Sequence, residues 1–284
     1  MIPVAFSYVR ARDVADALRL LGEHGDEAKL LAGGHSLIPM MKLRLATPGV
    51  IVDIGAIPGL ARIAHDGKRI AIGALTTHAA LAESRELREH APALSQAANE
   101  LGDPQVRNRG TAGGACAHGD PSADYPAVML ALDATFSLTG ASGTREVDAD
   151  AFFVGMFETA LDPREVLTSI AFAAAPHSAY AKFHHPASGY AVVGAAVNLT
   201  VAAGRIAAAR VAFTGVGDAP FRAHGVEAAL AGVKTGDTAA LDAACRDAAA
   251  GIDARGDTFA SGEYRSAMAD VFVRRALVSA LQPR

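Results

Sequence analysis

The sequence predicts an α+β protein of two units, residues 1–176 and 177–284, the first divided into subdomains of about 1–56 and 57–176. Three observations predict it. The first 56 residues place one amphipathic helical pattern and one β-branched run around a Gly-Gly pair. The middle segment opens on a hairpin signal, passes through helical stretches and returns to apolar strand-like runs. From Ser178 the texture changes to long β-branched and alanine-rich runs, followed by helical patterns only.

The elements follow in order. Asp13 precedes Val14, Ala17, Leu18 and Leu21, the i, i+3, i+4, i+7 spacing of a helix that Gly25 closes. The run AKLLA leads into Gly33-Gly34, SLIPMMKL reads as a brief helical turn, and GVIVDI (49–54) as a buried strand. A glycine loop at a strand's C-terminal end is where α/β layers usually hold ligands. In ARIAHDGKRIAIGA, Asp66-Gly67 marks a hairpin turn. Helices are expected at 77–83 and 87–101. A second glycine loop, GTAGGACAHGDPSADYP (110–126), comes next, then AVMLALDA, the strand-like ATFSLTG and the strand 166–174. After a boundary near Ala175–His177, three antiparallel strands are expected, with a turn at Gly204. Helical patterns follow at 221–230, 238–250 and 264–281, the last with Ser261 as N-cap.

Composition excludes several functions. The net charge of −4 offers no phosphate-tracking surface, so nucleic acid is not an expected partner. Two cysteines, Cys116 and Cys245, cannot supply the four ligands of an iron–sulfur cluster. No CxxC, HExxH or His-rich cluster occurs, and the pair His184-His185 has no carboxylate or thiol at ligand spacing, so no metal site is predicted. The N-terminus lacks a signal-peptide pattern and the longest apolar run (191–203) is too short to span a bilayer, so a cytoplasmic protein is expected.

The chemistry lies in the two Ala-Gly-Gly segments. A dinucleotide diphosphate carries about two negative charges and can be held by successive backbone N–H groups where the chain approaches closely. Adjacent glycines flanked by Ser or Thr permit that approach and add a hydroxyl donor. GxGxxG and GxxxxGK[ST] are both absent, so such a ligand would bind in another fold.

LLAGGHSLIPMMKLRL together with QVRNRGTAGGACAHGDPSADYPAVMLALDA resembles the FAD-binding medium subunit of the molybdenum hydroxylases. The branch it resembles is the carbon monoxide dehydrogenase medium-subunit type, related to the xanthine dehydrogenase flavin domain. The likeness runs along the whole chain. It implies a PCMH-type FAD-binding fold followed by the C-terminal flavoprotein unit, with FAD as cofactor. It further implies a diphosphate loop of Ala32, Gly33, Gly34, His35, Ser36 and Leu37, and a second of Thr111, Ala112, Gly113, Gly114 and Ala115. Leu101 and Leu167 would line the flavin or adenine, His118 would make a polar contact, and Asp124 would accept from a sugar or ribityl hydroxyl. Lys182 and Tyr190 are expected near the isoalloxazine ring. The family usually has Asn where this chain has Ala115, so one side-chain hydrogen bond is lost there, at a cost of about 1 kcal/mol.

Plainer readings stay open for single residues. His35 also fits an ordinary loop, Asp124 also fits the cap of a helix beginning near Pro126, and Lys182 also fits a solvated strand position. The resemblance implies partners as well: a small subunit with [2Fe-2S] clusters and a large molybdopterin subunit, in a dimer of heterotrimers. Electrons would pass to the flavin and then to an external acceptor such as NAD or a quinone. The alternatives are a self-contained flavin oxidase acting on a small alcohol, and a non-redox scaffold that kept the fold.

Overall fold

The computed structural model describes residues 1–282, which form three larger sheets, each with its own core, and one two-stranded sheet. The N-terminal lobe holds β1 (Ser7–Arg10), α1 (Val14–His24), β2 (Ala28–Leu31), α2 (Leu37–Leu43) and β3 (Val50–Asp53). Its sheet is parallel in the order β1-β3-β2. Helix α1 starts where Asp13 accepts from the Asp16 N–H and stops at Gly25, as the sequence predicts. Strand β1 was not expected. Ser7, Tyr8 and Arg10 are exposed, so no apolar alternation marks it.

The middle lobe begins with β4 (Ile63–His65) and β5 (Arg69–Gly73), joined through Asp66-Gly67 as predicted. Helices α3 (His78–Glu83), α4 (Arg85–His90), α5 (Pro92–Asn99), α6 (Pro104–Arg107), α7 (Ala112–His118) and α8 (Asp124–Ala131) follow. The single helix expected over 87–101 is broken, because Pro92 cannot donate within α4 and instead opens α5. Then come β6 (Thr135–Gly140), β7 (Gly143–Asp148), α9 (Ala149–Phe152), the small hairpin β8 (Phe153–Gly155) and β9 (Glu158–Thr159), and β10 (Val166–Ala173). The antiparallel sheet runs β4-β5-β10-β6-β7. Leu75 and Val166 of this lobe are buried in the N-terminal core, which seats one lobe on the other.

The C-terminal unit pairs β11 (Ser178–His184), β12 (Ala191–Ala202), β13 (Arg205–Thr214) and a short β14 (Phe221–Arg222), one strand more than predicted. Helices α10 (His224–Leu230), α11 (Thr238–Ala244) and α12 (Gly262–Leu281) complete it, α12 capped by the Ser261 hydroxyl as expected. The pleat divides β11 between two surroundings. Ala179, Ala181 and Phe183 pack with α12 in the C-terminal core, whereas Tyr180 faces the middle lobe. The fully buried helix α8 lies against β12 and β13 on that side. The seam is also hydrogen-bonded: Thr214 donates to the carbonyl of Pro121 at 2.8 Å, and Gln96 accepts from the Tyr180 N–H at 2.8 Å. Among the described residues no helix is long and apolar enough to cross a membrane.

Candidate functional site

Strand β2 delivers the first glycine segment at its C-terminal end, as the α/β pattern implies. Gly33 is in direct contact with the chain ahead of the second segment. A Cβ added there would fall 2.1 Å from the Arg109 carbonyl oxygen and 2.8 Å from the Gly110 Cα, so only a glycine permits this crossing of backbones. Across the same junction, a Cβ on Gly114 would reach 3.9 Å from the Ala32 Cβ. The two segments, one from each lobe, therefore face each other.

They differ in what they leave open. Among the described residues, the N–H groups of Gly33, Gly34, His35, Ser36 and Leu37 donate to no protein acceptor. The Ser36 hydroxyl precedes α2 without capping it. Five adjacent open donors and a hydroxyl are the groups with which a backbone segment can hold an anion.

The second segment departs from the predicted loop. Residues Ala112 to His118 are helix α7, and its first-turn amides are already engaged. Ala112 donates to the Thr76 carbonyl at 2.9 Å and Gly113 to the Ala74 carbonyl at 2.8 Å. Gly114 donates to the Thr111 hydroxyl at 3.1 Å, and Ala115 to the Thr111 carbonyl at 3.0 Å. Glycine disfavours a helix, but the Thr111 cap and the bonds to the end of β5 override that preference. What α7 presents to the first segment is a narrow glycine surface rather than a second row of open amides.

His78 was not foreseen and supports this turn from beneath. It is buried, its N–H donates to the Gly110 carbonyl at 3.0 Å, and its Nδ1 lies 2.9 Å from the Tyr125 hydroxyl. Burial lowers its pKa to about 4, so the ring is neutral at pH 7. Nothing local in LTTHAAL signals the role, because Tyr125 and Gly110 come from distant segments. Arg107 is a second such residue: its guanidinium donates to the carbonyls of Leu101 at 3.0 Å and Gly102 at 3.1 Å, holding the chain where Leu101 sits.

The remaining predicted residues are spread around this centre. His35 is exposed on the first segment. Leu101 is half-buried against the middle core, and Leu167 is buried opposite Leu138 on β6. His118 ends α7 with its ring 5.1 Å from that of Phe157, and burial lowers its pKa against the opposing pull of Asp120. Tyr190 is exposed in the loop between β11 and β12, where its carbonyl accepts from the His185 N–H at 2.8 Å. It lines an open cavity of about 570 Å³ with Asp120, Met156, Arg255 and Arg265.

Asp124 and Lys182 form a buried pair. The Lys182 ammonium lies 2.9 Å from Asp124 Oδ2, and the two side chains are 1% and 2% exposed. Tyr180 donates to Oδ1 at 2.5 Å, and Lys182 also donates to the Glu100 carbonyl at 3.3 Å. Lys182 is therefore no solvated strand residue: the pleat points it at the middle lobe with Tyr180. Nor does Asp124 cap α8, which begins after Ala123 with no side-chain cap. Burial pushes the Asp124 carboxyl above its ordinary value, and the Lys182 charge and the Tyr180 hydroxyl pull against that shift. Each oxygen keeps a further acceptor site beyond these partners.

Residues 4–174 match the family model of the FAD-binding domain in molybdopterin dehydrogenase, and residues 178–280 match that of the carbon monoxide dehydrogenase flavoprotein C-terminal domain. The chain belongs to this FAD-binding family. The medium subunit of the molybdenum hydroxylases is similar to it from end to end. The carbon monoxide dehydrogenase medium chain of Hydrogenophaga pseudoflava is 42% identical over 99% of this chain and 98% of its own. The glyceraldehyde dehydrogenase medium chain of Sulfolobus acidocaldarius is 36% identical over 97% and 98%. Among solved structures, carbon monoxide dehydrogenase from Hydrogenophaga pseudoflava superposes with a TM-score of 0.93 at 43% identity, covering 99% of this chain and 98% of that one. Quinoline 2-oxidoreductase from Pseudomonas putida 86 does so with a TM-score of 0.93 at 29% identity, covering 99% of each. The resemblance carried by the two glycine segments is thus borne out for this FAD-binding medium subunit, and the open amides of 33–37 fit the diphosphate of its cofactor.

Proposed function

We infer that this chain carries FAD as the electron-transferring flavoprotein subunit of a molybdenum hydroxylase. It would receive electrons from a small [2Fe-2S] subunit, fed by a large molybdopterin subunit, and deliver them to an external acceptor such as NAD or a quinone. The observation that carries this reading is the cradle of five unpaired amides at Gly33–Leu37, closed on its far side by the start of α7. When bound, FAD supplies the redox chemistry, exchanging single electrons with one partner and pairs with another.

The chain's own residues hold and orient. The amides of 33–37 and the Ser36 hydroxyl take the diphosphate, with the glycine surface of α7 opposite. Thr111, Ala112, Gly113, Gly114 and Ala115 act through shape more than through free donors. Leu101 and Leu167 supply apolar walls, His118 a polar contact and Asp124 an acceptor for a ligand hydroxyl. Lys182 fixes the Asp124 carboxylate, and Tyr190 borders the flavin from the C-terminal unit. Partner subunits carry the clusters and the substrate site, because two buried cysteines cannot ligate a cluster.

Co-expression with a small iron–sulfur subunit and a large molybdopterin subunit from the same source tests the reading. The expected result is a complex that co-purifies with one FAD per copy of this chain and loses acceptor reduction when FAD is stripped. Turnover of an organic substrate by the isolated flavin-loaded chain, or a chain that stays colourless with excess FAD, would refute it.

A further inference from the structure

A cluster on the middle lobe, unconnected with the cradle, gathers three metal-binding side chains from two elements. His65 ends β4, while Glu86 and His90 stand one turn apart on α4 and so share a face of that helix. The candidate donor atoms all lie within 4.8 Å of one another. Glu86 Oε1 faces both imidazoles: it contacts His65 Nδ1 and lies 3.7 Å from His90 Nε2. The two rings stand 4.5 Å apart, centroid to centroid.

From this juxtaposition of His65, Glu86 and His90 we propose a binding site for a divalent transition-metal ion of the zinc class, tying β4 to α4. Two imidazoles and one carboxylate are a donor set such ions accept, with a fourth position left to water. Tetrahedral zinc with bonds of about 2.0–2.1 Å sets its ligand atoms about 3.3 Å apart. The 3.7 Å Glu86–His90 separation is near that value, and Glu86 would draw back from His65 Nδ1 to admit the ion between them.

The backbones beneath are firmly held. Leu87 is fully buried, the His90 carbonyl accepts from the Ala175 N–H at 2.6 Å, and His65 pairs with Ile70 across the hairpin. His65 Nε2 is buried with no protein partner among the described residues, so the ring's polar contact is made through Nδ1, on the side of Glu86. Glu86 and His90 are half exposed, which gives an ion a path in from solvent. Cys116 and Cys245 are buried and do not compete for it. No motif scan finds the site, because its third ligand lies 21 residues upstream on another element.

The test uses the full-length, FAD-loaded chain, dialysed against a chelator and titrated with zinc chloride by calorimetry. Glu86→Gln and His90→Ala are titrated alongside it. The expected result is one zinc per wild-type chain, more than tenfold weaker binding in each variant, and the same FAD content in all three. Zinc at a hundredfold excess over its dissociation constant is expected to raise the wild-type Tm by about 5 °C and to leave both variants unmoved. Equal zinc affinity in wild type and variants, or no zinc binding by the wild type, would overturn the proposal.

Discussion

Replacing Gly33 by alanine probes the junction of the two lobes with a single methyl group. The added carbon would sit 2.1 Å from the Arg109 carbonyl oxygen, whereas ordinary contact begins at 3.4 Å. The obstacle is backbone rather than a flexible side-chain end, so the segments must part by about 1.3 Å. A hydrogen bond between a diphosphate and the 33–37 amides does not survive a stretch of that size. The overpacking itself costs about 1–3 kcal/mol, and each charge-assisted bond lost costs about 1.5–3 kcal/mol. With about 1.4 kcal/mol per factor of ten, FAD affinity is expected to fall by about 10- to 100-fold or more. Flavin content after gel filtration and a fluorescence titration of apoprotein with FAD measure it. Gly22→Ala is the control, since an added Cβ there meets nothing within 4 Å. Wild-type affinity in Gly33→Ala, with native circular dichroism, would refute the idea that the crossing at Gly33 positions the cradle.

Four further outcomes follow from the same geometry. Gly114→Val, whose Cβ would fall 2.7 Å from the Thr111 hydroxyl and whose branches would extend toward Ala32, is expected to abolish flavin retention in a folded protein, read as loss of flavin absorbance. Lys182→Met leaves the Asp124 carboxylate buried without its cation and is expected to destabilise by about 3–5 kcal/mol, with much of the loss recovered in Lys182→Met combined with Asp124→Asn. Denaturant unfolding of the three proteins checks it. His78 has its folded pKa lowered from 6.5 to about 4, so its contribution is present above pH 6.5 and is lost as pH falls toward 4. Thermal unfolding is therefore expected to weaken over that window in wild type and to weaken less in His78→Asn. Burial raises the Cys116 thiol far above its ordinary value and pushes Cys245 up to about 11, so a thiol-specific chromogen is expected to label neither cysteine until the chain is unfolded.

Local signals made much of the fold legible. Asp13 and Gly25 bracket α1, Asp66-Gly67 turns the β4–β5 hairpin, and Ser261 starts α12, each within a few residues of the element it defines. Tertiary partners account for what was missed. Strand β1 exists because β3 pairs with it in parallel, a contact more than forty residues away that its exposed side chains do not announce. The 112–118 segment reads as a loop from its glycines and becomes a helix because Ala74 and Thr76 accept its first amides. In the site, the first glycine segment was legible because its function rests on its own backbone. The Lys182–Asp124 pair was not, since strand alternation says which face a residue takes but not that a buried carboxylate waits there.

The Gly33–Arg109 crossing joins segments whose nearest sheets are separate, one parallel and one antiparallel. A ligand gripped at that seam acts as a clasp, since it stabilises only the arrangement in which the lobes are docked. Occupancy and lobe docking then become one equilibrium. The emptied protein should yield first to proteases in the connecting stretch 55–62, and saturation with FAD should protect that stretch before it protects either core.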